Sequence, residues 1–492
     1  MKWLKLCILF SVFFIFFYLR LIPIINQTVP YTYDQGRDFL KAEEIIRDKN
    51  LTFIGPTTGI MGVYHGAWWY YFLALLYLVF AGWPVGFYIG LFVLSTTTLF
   101  LFFFFIKKEL GYQSSWLFFL TITAGSFFIK LGFFASNNTL SPLFVLLLIY
   151  SIYLFFKTQS AKYLFFISLA LGFSFEFEVA SGIFIITSFF ITSLFFKLFR
   201  KSYLNLRKLV CFISGFIIPI FPRLLFELKN NFIQTKAFIS FYSHPTFTNQ
   251  LSFISTLAER AQLFLKYYLQ LIPQENFYLG LLVFLFFIYL LIIRIKNMKR
   301  GRTNPLLFFF LLILVIFLVS LVSRNNFFWD YYLDGVQFII LFIFILIFNL
   351  NSQLKLAKNI LLGVFFFAVL ISFSKNLSGK NIPLVGLRAD NKIVSYFVEK
   401  TSNRYFCLRI YTPPVIPYTY YYLFSYYARH QKIKYPRQEF TNSQCYFIFD
   451  KEPYSFRVEK WRKDNIPEKS RLIEKKIIDN GSSIELWKLT ES

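Results

Sequence analysis

The chain reads as a polytopic α-helical membrane protein with a small α/β domain at its C-terminal end. Three observations carry that reading. Of 492 residues, 57% are hydrophobic and only 15% charged, whereas soluble domains average about 25% charged. The apolar residues fall into twelve runs, near 6–25, 67–82, 85–106, 116–134, 138–156, 163–175, 179–196, 208–226, 277–293, 305–322, 332–348 and 359–373. The Lys and Arg behind the net charge of +26 sit in short clusters between those runs and in the tail. That pattern anchors a protein against anionic lipid, and it argues against nucleic-acid binding.

Residues 1–25 open with Lys2 and Lys5 and continue apolar without a small-residue cleavage pattern, so a retained helix is expected. Several later runs are shorter than the roughly 20 residues of a perpendicular span, so broken or re-entrant segments are expected within a total of about 11–13 crossings. The positive-inside rule places Lys107–Lys108, Lys157–Lys162, Lys197–Lys208, Arg294–Arg302 and Lys355–Lys358 in the cytoplasm with the N-terminus. Strict alternation satisfies this from residue 107 onward and fails by one crossing upstream. Either 67–82 or 85–106 does not cross, with Gly82-Trp83-Pro84 as the break, or one positive cluster lies on the unexpected side. Of the inferences on sidedness, the one that survives best is that the 31–66 loop and the tail share the outer side.

The loop from Tyr31 to Trp69 concentrates the polar chemistry. Asp34 and Asp38 stand four apart, on one face if the piece is helical. Asp34 occupies an N-cap position before an amphipathic stretch bearing Phe39, Leu40, Ala42, Ile45 and Ile46. Gly55, Pro56, Gly59 and Gly62 then make a turn-rich return that delivers His65, Trp68 and Trp69 to the next apolar run. The competing reading is a charged juxtamembrane loop that merely caps two helices.

Three later stretches add candidates. Glu176 and Glu178 lie between apolar runs, where each charge costs about 2.5–3.5 kcal/mol unless it faces a cavity, pairs or reaches the interface; a surface turn is the other reading. Arg223, Glu227 and Lys229 end the 208–226 run and open an outer segment, 227–276, whose part 251–270 has helical apolar spacing. Arg324, Asp330, Tyr331, Tyr332 and Asp334 stand at the outer end of a later run and could line the same cavity, though an aromatic belt would account for the tyrosines.

After about residue 374 the runs shorten and prolines and charges rise. YFCLRIY, CYFIFD and SIELWKL read as strands, IVSYFVEKT and TYYYLFSYYARH as helices. The division expected is 1–373 for the transmembrane domain, with outer loops 26–66 and 227–276, and 374–492 for a small extracytoplasmic α/β domain. Cys407 and Cys445 could pair if that domain lies outside the cytoplasm, and no cysteine spacing suggests a zinc site.

Taken together, the acid-bearing first outer loop, the tryptophans opening the second helix and the α/β tail resemble the multi-pass membrane glycosyltransferases of the GT-C fold. The resemblance is to glycosyltransferase family 39 and its neighbours: protein O-mannosyltransferases, aminoarabinose transferases of lipid A, and bacterial dolichyl-phosphate-mannose-protein mannosyltransferase-like proteins. In that group an Asp early in the first outer loop serves as base or orienter, and Asp34 in TYDQGRD resembles it, with Asp38 one turn on. LFEL at 225–228 is also similar. The chain departs from the family's pattern at two places, the first of which weakens an assignment to the protein-mannosylating or lipid A branches. VYHGAWW replaces a Lys/His-Pro-Pro-Leu opening, with His65 at the equivalent place, and Glu176 and Glu178 stand where some relatives carry Gln and His.

The resemblance implies sugar transfer at the outer face of the plasma membrane, from a polyprenyl-phosphate donor to a glycan, lipid or protein acceptor. Asp34 and Asp38 are then the catalytic candidates. Arg37, Arg223, Lys229 and Arg324 are candidates for holding phosphate, and His65, Glu176, Glu178, Glu227, Asp330, Tyr331 and Tyr332 for other substrate contacts. The family resembled includes metal-dependent and metal-independent members, so no cofactor is fixed, and Asp34 and Glu178 are candidate ligands for a divalent metal ion. The alternatives are a ligase or polymerase of surface polysaccharide and an isoprenoid-linked sugar transporter; a transporter would carry paired broken helices and mid-membrane charges, and no inverted repeat is evident.

Overall fold

A computed structural model describes residues 2–243, 251–296, 304–323, 328–350, 354–377, 382–401, 403–413 and 416–490. The apolar start forms α1 (Lys2–Ile25), followed by a short loop and α2 (Tyr33–Arg47). Thr32, in extended conformation, precedes α2 and donates its N–H to Gln35 Oε1 at 2.8 Å. Thr32 is therefore the N-cap. Asp34 falls instead within the first turn, where its charge meets the positive end of the helix dipole. The turn-rich return folds as an antiparallel hairpin, β1 (Ile54–Thr57) with β2 (Tyr64–Gly66), and leads into α3 (Trp68–Val79).

α3 has 12 residues, roughly 18 Å of helix and too short to span. After a turn at Phe80–Trp83 the chain enters α4 (Pro84–Leu110), with proline at its first position. Further C-terminal, Tyr422 Oη donates to the Gly82 carbonyl at 2.6 Å and Arg429 contacts the Tyr77 hydroxyl. At the start of α3, Trp69 donates to Asp38. Both ends of α3 thus lie on the face that carries the C-terminal residues. The helix enters and returns on one side, which removes the surplus crossing and puts Lys107 and Lys108 on the side of the N-terminus.

The bundle continues through α5 (Tyr112–Ala124), α6 (Ser126–Lys130), α7 (Ser141–Thr158), α8 (Ala161–Phe177), α9 (Val179–Leu194), α10 (Lys197–Tyr203) and α11 (Leu206–Lys229). It closes with α12 (Ile233–Ser243), α13 (Phe253–Leu269), α14 (Phe277–Lys296), α15 (Pro305–Ser320), α16 (Val336–Leu350) and α17 (Lys355–Leu377). Among the described residues five helices are long and apolar enough to cross a membrane, namely α1, α4, the 137–158 segment ending in α7, α11 and α17. α9 and α10, bent by 102°, would make a sixth, and α3, α14, α15 and α16 are shorter apolar helices. By helix length alone, then, five or six of the described helices qualify, and the other apolar runs fall in shorter or broken helices. Interlocked phenylalanines fill the core: Phe308 lies 5.1–5.5 Å from Phe156, Phe196 and Phe199. Edge-to-face and offset geometry lets such rings pack densely without polar groups.

The tail folds as α18 (Leu387–Thr401), β3 (Leu408–Tyr411), α19 (Tyr418–Arg429), β4 (Gln444–Phe449), α20 (Ser455–Asn465), β5 (Ser470–Ile477) and β6 (Ser483–Leu489). The sheet order is β3-β4-β6-β5, parallel between β3 and β4 and otherwise antiparallel. Cys407 and Cys445 form a disulfide within a small cluster that includes Tyr411, Phe447 and Phe449. The domain sits on the first outer loop: Arg388 N–H donates to the Gln27 carbonyl at 2.7 Å, and Tyr31 Oη to that of Thr419 at 3.0 Å. α2 is consequently clamped between α3 and α19 instead of lying free on a membrane surface. A Cβ at Gly36 would overlap the Tyr418–Thr419 backbone, so glycine is what permits that approach.

Candidate functional site

A cavity of about 490 Å³ opens where α2, β2, α6, the 137–139 turn, the α8–α9 junction, α13 and the 330–334 segment meet. Asp34, Arg37, His65, Lys130, Asn137, Glu178, Tyr267, Gln270, Asp330, Tyr331 and Asp334 line it. Each is positioned by a local event. α8 stops at Phe177, whose carbonyl accepts from Asn137 Nδ2 at 2.7 Å; Glu178 then takes an extended conformation before α9 begins. That break turns the Glu178 carboxyl into the cavity. The Val179 N–H donates to His65 Nδ1 at 3.5 Å, tying the junction to β2.

Arg37 is central to the charge arrangement. Its guanidinium reaches Asp34 at 3.0 Å and Asp38 at 2.8 Å. The two acids differ sharply in exposure, 61% for the Asp34 side chain and 2% for that of Asp38. Asp38 also accepts from Trp69 Nε1 at 2.7 Å. Burial pushes the Asp38 carboxyl up to about 6, with Arg37 and Trp69 acting in the opposite direction. Burial, and then the charges of Arg223 and Arg37, hold His65 down to about 3. Its imidazole is therefore neutral, and with Nδ1 accepting, the proton sits on Nε2. Across the cavity, burial lifts Asp334 to about 7, opposed by the Gln337 amide donating at 3.3 Å. Asp330 pairs with Lys266 at 2.6 Å.

Of the candidates named from sequence, Asp34, Arg37, His65, Glu178, Asp330, Tyr331 and Asp334 come together here. Six others do not line the cavity. Asp38 lies behind Arg37. Glu176 and Arg223 form a buried ion pair at 2.6 Å, and Arg223 also donates to the Tyr64 carbonyl at 2.8 Å and to Gln234 Oε1 at 3.1 Å. They clamp the hairpin to α8 and α11. Glu227 accepts from the backbone N–H groups of Gln234 and Thr235 at 3.0 and 3.1 Å, capping α12. Lys229 is exposed at the end of α11. Tyr332 packs edge-on against Phe328 at 5.5 Å. Arg324 lies outside the described residues.

Sequence reasoning missed Lys130, Asn137 and Gln270. Lys130 had left a signal: it is a lone cation inside the 116–134 apolar run, the kind of residue that marks a polar path. Among the described residues no three His, Cys, Asp or Glu side chains come together to hold a metal ion. Asp34 and Glu178 share the cavity, but Asp34 is already engaged by a cation, so this donor set does not fit a resident divalent ion.

α13 has two faces. Tyr267 and Gln270 look into the polar cavity, whereas Leu265, Tyr268 and Leu269 line a second, apolar space of about 490 Å³ with residues of α14, α15 and α16, including Phe284, Phe310 and Phe344.

No family model matches the chain. No curated protein matches it either. Two crystal structures of ArnT from Cupriavidus metallidurans, one bound to undecaprenyl phosphate and one in the apo state, are similar over 99% of this chain and 98% of theirs. Each has a TM-score of 0.61, at 11% and 10% sequence identity respectively. At that identity the likeness is one of fold. The shared fold is that of a polytopic α-helical membrane protein with a C-terminal mixed-sheet domain.

Proposed function

We propose that the chain transfers a sugar from a polyprenyl-phosphate-linked donor to a hydroxyl of a glycan, lipid or protein acceptor at the outer face of the membrane. One observation carries the reading: an exposed carboxylate, Asp34, stands in a polar cavity with Arg37 and Lys130, one helix away from an apolar space large enough for isoprenoid units. The ArnT structure of similar fold holds undecaprenyl phosphate, which is the ligand chemistry such a pairing suits. Burying an isoprenoid tail contributes about 0.8 kcal/mol per CH₂.

In this mechanism the acceptor hydroxyl approaches the anomeric carbon of the donor while Asp34 takes its proton. The new C–O bond forms as the bond to phosphate breaks, and the departing electron pair stays on the lipid phosphate. Lys130 and Arg37 hold that anion. Asp38 is assigned as a positioning residue, since it fixes Arg37 without reaching the cavity. Neutral His65 donates from Nε2 to substrate oxygen, and Glu178, Asp330 and Tyr331 contact the sugar or acceptor.

The outer location is supported by the Cys407–Cys445 disulfide, a bond favoured outside the cytoplasm. Residues 1–373 then make up the catalytic membrane domain and 374–492 the outer one. The test is release of polyprenyl phosphate from labelled sugar lipids in membranes containing the chain. Asp34→Asn at unchanged protein level should abolish it. Equal turnover by that variant would remove Asp34 from the chemistry, and no release from any sugar lipid would favour transport.

A further inference from the structure

At the end of the bundle opposite the candidate site, a cavity of about 680 Å³ opens between the starts of α8 and α11. α8 has 17 residues, roughly 25 Å, and only at its other end does the chain deliver Glu178 to the polar cavity. Lys162, Arg207 and Lys208 line the opening, around a floor of Phe165, Phe166 and Cys211. Among the described residues no carboxylate lines it. Nearby Lys157 is neutralised by Glu109 at 2.7 Å, whereas among the described residues these three cations form no ion pair.

The backbone adds to the positive field. Two long helices begin here, and Asn205 caps one of them by accepting the Lys208 N–H at 3.1 Å, leaving other first-turn N–H groups for an anion. Apolar side chains of α11 running away from the opening, Val210 and Ile213, are 55% and 48% exposed. A ligand that fits has a compact anionic head and an apolar tail continuing along α11.

We propose that this cavity binds the phosphodiester head of one acidic phospholipid, drawn from the leaflet opposite the sugar-transfer cavity. Basic pockets between membrane helices on the positively charged side suit such heads. The bound lipid bridges α8 and α11, which at their far ends carry Glu176 and Arg223. The site is independent of the proposed reaction.

The test titrates purified protein in detergent with phosphatidylglycerol or phosphatidylcholine, read by native mass spectrometry. One phosphatidylglycerol should bind in preference to phosphatidylcholine. The triple variant K162Q/R207Q/K208Q should weaken it about 100-fold, from the worth of three cations near an anionic head. K162R/K208R should retain binding, which separates charge loss from misfolding. K197Q/R200Q/K201Q removes three exposed cations from neighbouring α10 and should leave binding unchanged. Equal losses in the two triple variants would reduce the effect to general surface attraction and overturn the proposal. So would equal binding of the two lipids, or complete displacement by millimolar inorganic phosphate, which would mark a site for a soluble anion.

Discussion

Two acid pairs in this chain look alike in sequence and part company in the fold. Asp34 and Asp38 lie in the first outer loop, Glu176 and Glu178 at the junction of α8 and α9. In each pair one carboxylate is buried against an arginine, Asp38 on Arg37 and Glu176 on Arg223, while the other faces the same cavity. The difference lies in what the arginine does next. Arg37 extends past Asp38 to Asp34 and lines the cavity, whereas Arg223 turns to the Tyr64 carbonyl and Gln234 and is spent on architecture. On the proposed reading, then, the buried ion pair of the first region positions a group of the reaction cavity, and that of the second holds the hairpin.

That contrast can be broken experimentally. The largest effect expected is on Asp34→Asn, which should lower transfer by about 10²–10⁴-fold, the worth of a general base; initial rates at matched protein level would show it. Glu176→Gln should leave Arg223 buried and unpaired and cost about 3 kcal/mol of stability. The double variant E176Q/R223M should recover most of that loss in thermal unfolding, whereas a direct substrate role would leave it inactive although stable.

Asp38 gives a pH signature. Its carboxyl is raised by burial from 3.8 to about 6, so the folded state holds the proton more tightly than the unfolded chain. The contribution of this group to stability therefore falls as pH rises from about 4 to about 6 and is level above. Melting curves across that window should slope less for Asp38→Asn than for the parent, and identical slopes would reject the assignment. The smallest effect belongs to Glu227→Ala, which removes a cap on α12 and should cost about 1 kcal/mol without changing the KM for donor.

Much of the tail was legible because its strands alternate. Cys445, Phe447 and Phe449 fall on one face of β4, as the spelling of CYFIFD suggests. α20 and β5 were not read, since α20 buries no residue and β5 is mostly exposed. Periodicity reports burial, and elements without a buried face leave little trace in it. The hairpin of residues 54–66 escaped for another reason. Gly55 and Gly66 approach so closely that a Cβ at Gly55 would meet the Gly66 carbonyl, and glycine pairs read equally well as a loop.

Composition and run length alone determined that this is a membrane protein, because 57% hydrophobic residues in long runs have no other stable solvent. The clustering of Lys and Arg further grouped the loops from residue 107 onward by side, leaving one crossing upstream open. Pairing was decided only in three dimensions. Whether an acid meets a cavity or an arginine depends on where α8 breaks at Glu178, on α3 turning back at Gly82, and on α19 closing over Gly36. Charge is written locally along a chain, but its partner is supplied by whichever helix packs against it, and that contact has no sequence spacing to betray it.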